Sequence, residues 1–226
     1  MSVHNITVEG GTSVKLLVSG KYCDRDIVVT ATGGSGGSTN LPNGHTQVAC
    51  VQFSGDQIID TGVICTQNTK IKVVFTRESS SSLYMYGVVN SGNTASVTAY
   101  LASGGSWRFG NKSASKTITV NEDLVHTAIV SNTGIIMAGS TSSFSSVNAF
   151  ETVGSLLIGA CRSATGTVGA AQFVGKILAF DIWQSGELVL NLVPAVNSEG
   201  IYGLFDKVSE EFYTSITDTD LTGGDI

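Results

Sequence analysis

Cutting a glycosidic bond takes two carboxyl groups facing one sugar linkage, and on a strand they would alternate so that both enter the same cleft. The strand-like segments offer Asp181 in Phe180-Asp-Ile-Trp183 with no second acid two residues on, and Glu187 lies past a turn. Glu122-Asp123, Glu210-Glu211 and Asp218-Thr-Asp220 fall in predicted turns or in the tail. Gly33-Gly-Ser35-Gly-Gly37 has the spelling of a nucleophile elbow. That device is a strained turn between a strand and a helix, whereas here only further glycines and serines follow. The expectation is a protein that is not an enzyme.

Calcium takes hard oxygen ligands at loop edges. Candidates are Asp60, Asp123 and Asp206, with Asp218, Asp220 and Asp225 in the tail, yet none sits in a D-x-D-x-D-G loop and turn capping accounts for each. No cofactor is expected, with calcium the one ion left open. Cys23, Cys50, Cys65 and Cys161 form no Cys-x-x-Cys pair, and His4, His45 and His126 are scattered. Thiols are therefore expected, with a Cys50–Cys65 bridge across neighbouring strands as the alternative.

Sugar rings stack their C–H faces on exposed aromatic rings. Trp107, Tyr84, Tyr86 and Tyr100 are the candidate ligand platform, although each competes with a place in the core. Alternation puts Tyr84 and Tyr86 on one face, opposite Leu83 and Met85. Trp183 shares a face with Ile177, Ala179 and Asp181, and the pattern does not say whether this face or that of Leu178, Phe180 and Ile182 is inward. The serine runs 79–82 and 140–146 could bond a hydroxylated ligand or simply be mobile loops.

What must position these groups is a chain of 226 residues, 42% hydrophobic and 13% charged, with 27 glycines and two prolines. That composition excludes a disordered protein, which needs low hydrophobicity and high charge. A formal net charge of −6, from 12 basic and 18 acidic residues without a basic run, argues against nucleic acid as a partner. No window approaches a membrane span of ~18 apolar residues. The opening residues do not read as an export signal, so synthesis in a host cytoplasm is expected.

The stretch 33–39 (Gly-Gly-Ser-Gly-Gly-Ser-Thr) carries no apolar side chain and reads as a flexible linker. Before it, Asn5-Ile-Thr-Val8, Ser13-Val-Lys-Leu-Leu-Val18 and Asp26-Ile-Val-Val-Thr-Ala31 suggest a small β-module over 1–32, too short to be stable alone. After it, residues 40–226 form the main domain. Period-two alternation predicts strands at 48–53, 70–76 (Ile71, Val73 and Phe75 on one face), 83–89, 96–101, 116–120, 125–130, 134–138, 156–160, 176–183 and 187–193. The separators Asn90-Ser-Gly-Asn93, Gly104-Gly-Ser106, Asn132-Thr-Gly134 and Gln184-Ser-Gly-Glu187 are hairpin chemistry. Many short strands and no long amphipathic helix predict an all-β antiparallel sandwich of the jelly-roll kind.

Val51-Gln-Phe-Ser-Gly-Asp-Gln-Ile-Ile-Asp-Thr-Gly-Val63 resembles the opening of a concanavalin A-like, laminin-G-like sandwich found in phage and prophage proteins. Gly175-Lys-Ile-Leu-Ala-Phe-Asp-Ile-Trp183, Leu192-Val-Pro-Ala195 and Gly203-Leu-Phe-Asp-Lys-Val-Ser-Glu-Glu-Phe-Tyr213 resemble its closing strands and tail. Ser19-Gly-Lys-Tyr-Cys-Asp-Arg-Asp-Ile-Val-Val-Thr30 resembles a short β-module of phage tail and virion-surface proteins. The resemblance implies a bacteriophage virion structural protein, a decoration or short fibre. Its head would anchor to capsid or tail proteins and its sandwich would project outward. Host or mucosal glycans, met through the aromatics and serine loops of the sandwich, are partners in the alternative reading as a carbohydrate-binding module. A homo-oligomer such as a trimer is expected, because virion appendages occupy symmetric positions and the head is too small to stand alone. Within the motifs, Asp60 should bond backbone N–H groups ahead of it while Gly62 takes a positive φ, and Asp206 should head a turn returning Phe212 and Tyr213 to a strand.

Overall fold

A computed structural model describes residues 41–79, 84–90, 96–101, 105–110, 115–122, 124–137, 139–144, 147–169 and 173–224. The predicted head module over 1–32 and the linker over 33–39 lie outside the described residues. In chain order the first strands are β1 (Thr46–Gln47), β2 (Cys50–Ser54), β3 (Ile59–Thr66), β4 (Thr69–Arg77), β5 (Tyr84–Val89), β6 (Ser96–Tyr100), β7 (Ser106–Gly110) and β8 (Ser115–Thr117). They are followed by β9 (His126–Ser131), β10 (Gly134–Met137), β11 (Ser140–Ser143), β12 (Glu151–Ile158), β13 (Val174–Gln184), β14 (Glu187–Val196), β15 (Tyr202–Asp206), β16 (Phe212–Tyr213) and β17 (Thr222–Gly224).

Two antiparallel sheets result. The larger runs β11-β10-β9-β4-β13-β14-β15-β16, with β2 on the free half of β13, β17 beside β2, and β1 beside β14. The smaller runs β3-β12-β5-β6-β7-β8. This is the all-β antiparallel jelly-roll sandwich the sequence predicts. Period-two patterning produces it directly: Ile71, Val73 and Phe75 of β4 are all fully buried, as the alternation requires.

The core lies between the sheets, and aromatic rings bridge it. Phe75 of the larger sheet lies 6.2 Å from Trp107 of the smaller, and Phe180 meets Tyr86 edge-on at 5.6 Å. Such pairs add about 0.5–1.5 kcal/mol each beyond their burial. Both motif aspartates take the turn roles expected of them. Asp60 Oδ1 accepts from the Gly62 amide at 3.1 Å, with Gly62 at φ 70°. Asp206 accepts from the amides of Asn191, Val208 and Ser209 and from the Ser209 hydroxyl, and the chain returns through Phe212 to pair with Phe205.

The structure corrects the sequence reading where a strand carries an extra residue. Between Tyr84 and Tyr86 the β5–β6 register shifts, so that Tyr84 pairs with Tyr100 while Tyr86 pairs with the next residue back, Ala99. A bulge inverts the alternation beyond it. Tyr84 and Tyr86 thus face opposite ways, against the expectation that they share a face. The same happens between Ile177 and Ala179, which puts Ile177 inward with Phe180 and Ile182 and leaves Trp183 outward.

Further differences concern cysteines and serines. Cys50 and Cys65 lie on different sheets and form no bridge; Cys50 Sγ contacts the Gly224 carbonyl at 3.7 Å. Ser140–Ser143 is an edge strand, and Phe144 after it is buried and stacked on Phe109. The remainder of that run, 145–146, and residues 80–82 lie outside the described residues.

Candidate functional site

The outer face of the smaller sheet carries a hollow of about 330 Å³ lined by Tyr84, Val89, Thr98, Tyr100, Ser106 and Arg108. Three adjacent strands build it. On β6, Val97 and Ala99 point into the core, so Thr98 and Tyr100 point out; on β7, Trp107 and Phe109 are inward and Ser106 and Arg108 outward. Register then sets the rows: Tyr84, Tyr100 and Ser106 lie side by side, and Thr98 pairs with Arg108 in the neighbouring row. The bulge in β5 brings Tyr84 to this face.

Tyr84 and Tyr100 meet edge-to-face with ring centroids 5.0 Å apart. Opposite Thr98 stands Gly87, where a Cβ would come within 2.8 Å of Cys161 Sγ, so glycine is needed for this thiol to pack against the strand. Burial raises the Tyr84 hydroxyl above the ordinary tyrosine range, with smaller upward contributions from Cys161 and Tyr100 and a downward one from the Arg108 cation. Tyr84 therefore remains a protonated donor at neutral pH. Burial also pushes the Cys161 thiol up to about 12, which makes it a poor nucleophile.

The polar groups of the hollow have no protein partners among the described residues. The Tyr84 and Tyr100 hydroxyls, Thr98, Ser106 and the Arg108 guanidinium make no hydrogen bond or ion pair there. None of the lining residues is acidic. Chemically this is a set of hydroxyl donors and acceptors, two ring faces and one planar cation, at the lower end of the size range for small-ligand pockets.

Of the four sequence-predicted platform residues, the structure brings Tyr84 and Tyr100 together here. Trp107 and Tyr86 are fully buried, which removes both from any ligand surface and corrects that expectation. Arg108, Thr98 and Ser106 were missed. The available signal was their alternation with Trp107 and Tyr100, usable only once Trp107 is known to face the core.

A second cleft, about 480 Å³, opens between three hairpin turns and is lined by Gln67, Asn68, Lys70, Asn132, Trp183 and Ser185, among others. Here Lys70 Nζ already lies 3.9 Å over the Trp183 ring, so this aromatic has a partner from its own protein.

The acids converge on no common centre among the described residues. Asp181 is buried and held by Lys72 Nζ at 3.3 Å and Asn191 Nδ2 at 2.6 Å, while Glu187 is exposed beyond the hairpin. Asp60 takes the Arg162 guanidinium at 2.6 Å and the Ser155 hydroxyl in addition to the Gly62 amide. Carboxylates saturated by N–H and O–H donors, like those of Asp60 and Asp206, offer turn capping rather than calcium ligation. Asp218 and Asp220 are exposed, Asp123 and Asp225 lie outside the described residues, and no three of His, Cys, Asp or Glu gather among the described ones.

Fold and hollow together define a two-sheet sandwich with an open, polar–aromatic site on the outer face of its smaller sheet. No protein-family model matches the chain, and no curated protein matches it. Among solved structures it is similar to the native heptameric SAP-like pentraxin from Limulus polyphemus, at 13% identity and a TM-score of 0.45 over 63% of this chain and 78% of that one. The sandwich assignment rests on the two sheets themselves.

Proposed function

We propose that the chain is a non-enzymatic protein of a bacteriophage virion surface, a decoration or short fibre whose sandwich binds a saccharide in the hollow on its smaller sheet. The single observation that carries the binding half is the gathering of two tyrosine rings with unsatisfied hydroxyls and a guanidinium on one face. A saccharide presents many hydroxyls and apolar C–H faces, the complement of that set. The non-enzymatic half is supported by the commitment of both Asp181 oxygens to Lys72 and Asn191.

The virion half rests on the resemblance of the head and of the sandwich ends to phage proteins, with capsid or tail proteins as the anchoring partners. Homo-oligomerisation belongs to the same reading. Mass spectrometry of density-banded virions should find the chain at structural stoichiometry, and its absence from such particles overturns this half. For the binding half, a glycan array should give hits that Tyr100→Ala abolishes. A blank array leaves plain structural decoration.

A further inference from the structure

The described residues include three arginines, and two are spent inside the fold. Arg77 donates to the Leu101 carbonyl at 2.8 Å and pairs with Glu122 at 3.1 Å. Arg162 pairs with Asp60 at 2.6 Å and donates to the Ser155 and Gly166 carbonyls. Arg108 does neither. It projects from β7 at one side of the hollow, half-buried, with no acid among the described lining residues, on a chain whose acids outnumber its bases 18 to 12.

A guanidinium fork selects planar oxyanions and binds them bidentately. One cation alone does not suit a polyphosphate chain, which needs several. We infer that the saccharide taken by the hollow is acidic, carrying a carboxylate that the Arg108 fork reads while the sugar ring lies against Tyr84 and Tyr100. The inference rests on the proposed saccharide site and names its ligand class. Thr98 and Ser106 flank Arg108 and Tyr100 in the two rows, so hydroxyls next to the carboxylate meet partners as well.

The test uses the full chain and isothermal titration with sialyllactose and digalacturonate, each against its carboxyl-reduced alcohol, and with a sugar phosphate as a third arm. The acid forms should bind roughly 10- to 100-fold tighter than their alcohols, the range expected for a charged hydrogen-bonded contact. Arg108→Gln should bring acid and alcohol to equal affinity, Arg108→Lys should restore part of the preference, and circular dichroism should show both variants folded. Equal binding of acid and alcohol by the parent chain overturns the inference and leaves the saccharide site standing. So does a preference that survives Arg108→Gln, or one for the phosphate over both carboxylates. If no saccharide binds in any form, the site reading falls and takes the inference with it.

Discussion

The outer faces of the two sheets handle charge in opposite ways. On the larger sheet the lysines of β4 and β13 are all matched: Lys72 by Asp181, Lys176 by Glu78 at 3.6 Å, and Lys70 by the Trp183 ring. On the smaller sheet Arg108 and its neighbouring hydroxyls make no hydrogen bond or ion pair among the described residues. A face that satisfies itself contributes to stability and specificity of folding, whereas one that leaves donors and a cation open contributes little to either and is available to a ligand.

Alkali should produce the largest change, and it acts on two thiols, Cys65 in the core and Cys161 half-buried against β5. Burial pushes the Cys65 and Cys161 thiols up to about 12 from an ordinary value of 9. Between those limits the unfolded chain has lost protons that the folded chain keeps, so stability falls as pH rises and is flat below. Urea midpoints should hold to about pH 8 and drop steeply by about pH 10.5. A flat profile would mean that burial shifts neither thiol.

Next in size, Trp107→Ala should cost about 3–5 kcal/mol by denaturant unfolding. If it instead removed saccharide binding and left stability unchanged, the assignment of inner and outer faces on β7 would be reversed. Asp181→Ala leaves the Asn191 amide and Lys72 unmatched on the larger sheet and should cost about 1–3 kcal/mol with no effect on binding. Smallest of all, Arg108→Ala should change stability by about 0.5 kcal/mol or less, because it makes no hydrogen bond or ion pair among the described residues. A stability loss as large as that of Asp181→Ala would erase the contrast between the two faces.

Much of the architecture was legible in the residues. Regular alternation in β4, hairpin dipeptides such as Ser185-Gly186, and turn-heading aspartates at 60 and 206 each act over a few residues, so local patterning suffices to read them. The site was only half legible. Tyr84 and Tyr100 could be named from type, but separating them from Tyr86 and Trp107 required knowing where β5 slips its register. A bulge depends on pairing between strands, and a single strand's sequence does not record it. The Trp183 face was undecidable for the same reason, through the slip at Leu178.

The slip at Met85 also means that the binding surface is a matter of counting. Deleting that one codon would remove the bulge and make Tyr84 the direct neighbour of the inward Tyr86, and strict alternation would then keep Tyr84 outward opposite Tyr100. A strand that instead paired Met85 with Tyr100 would turn Tyr84 inward with no change of sequence, so the hollow depends on how β5 and β6 are registered and not on composition alone.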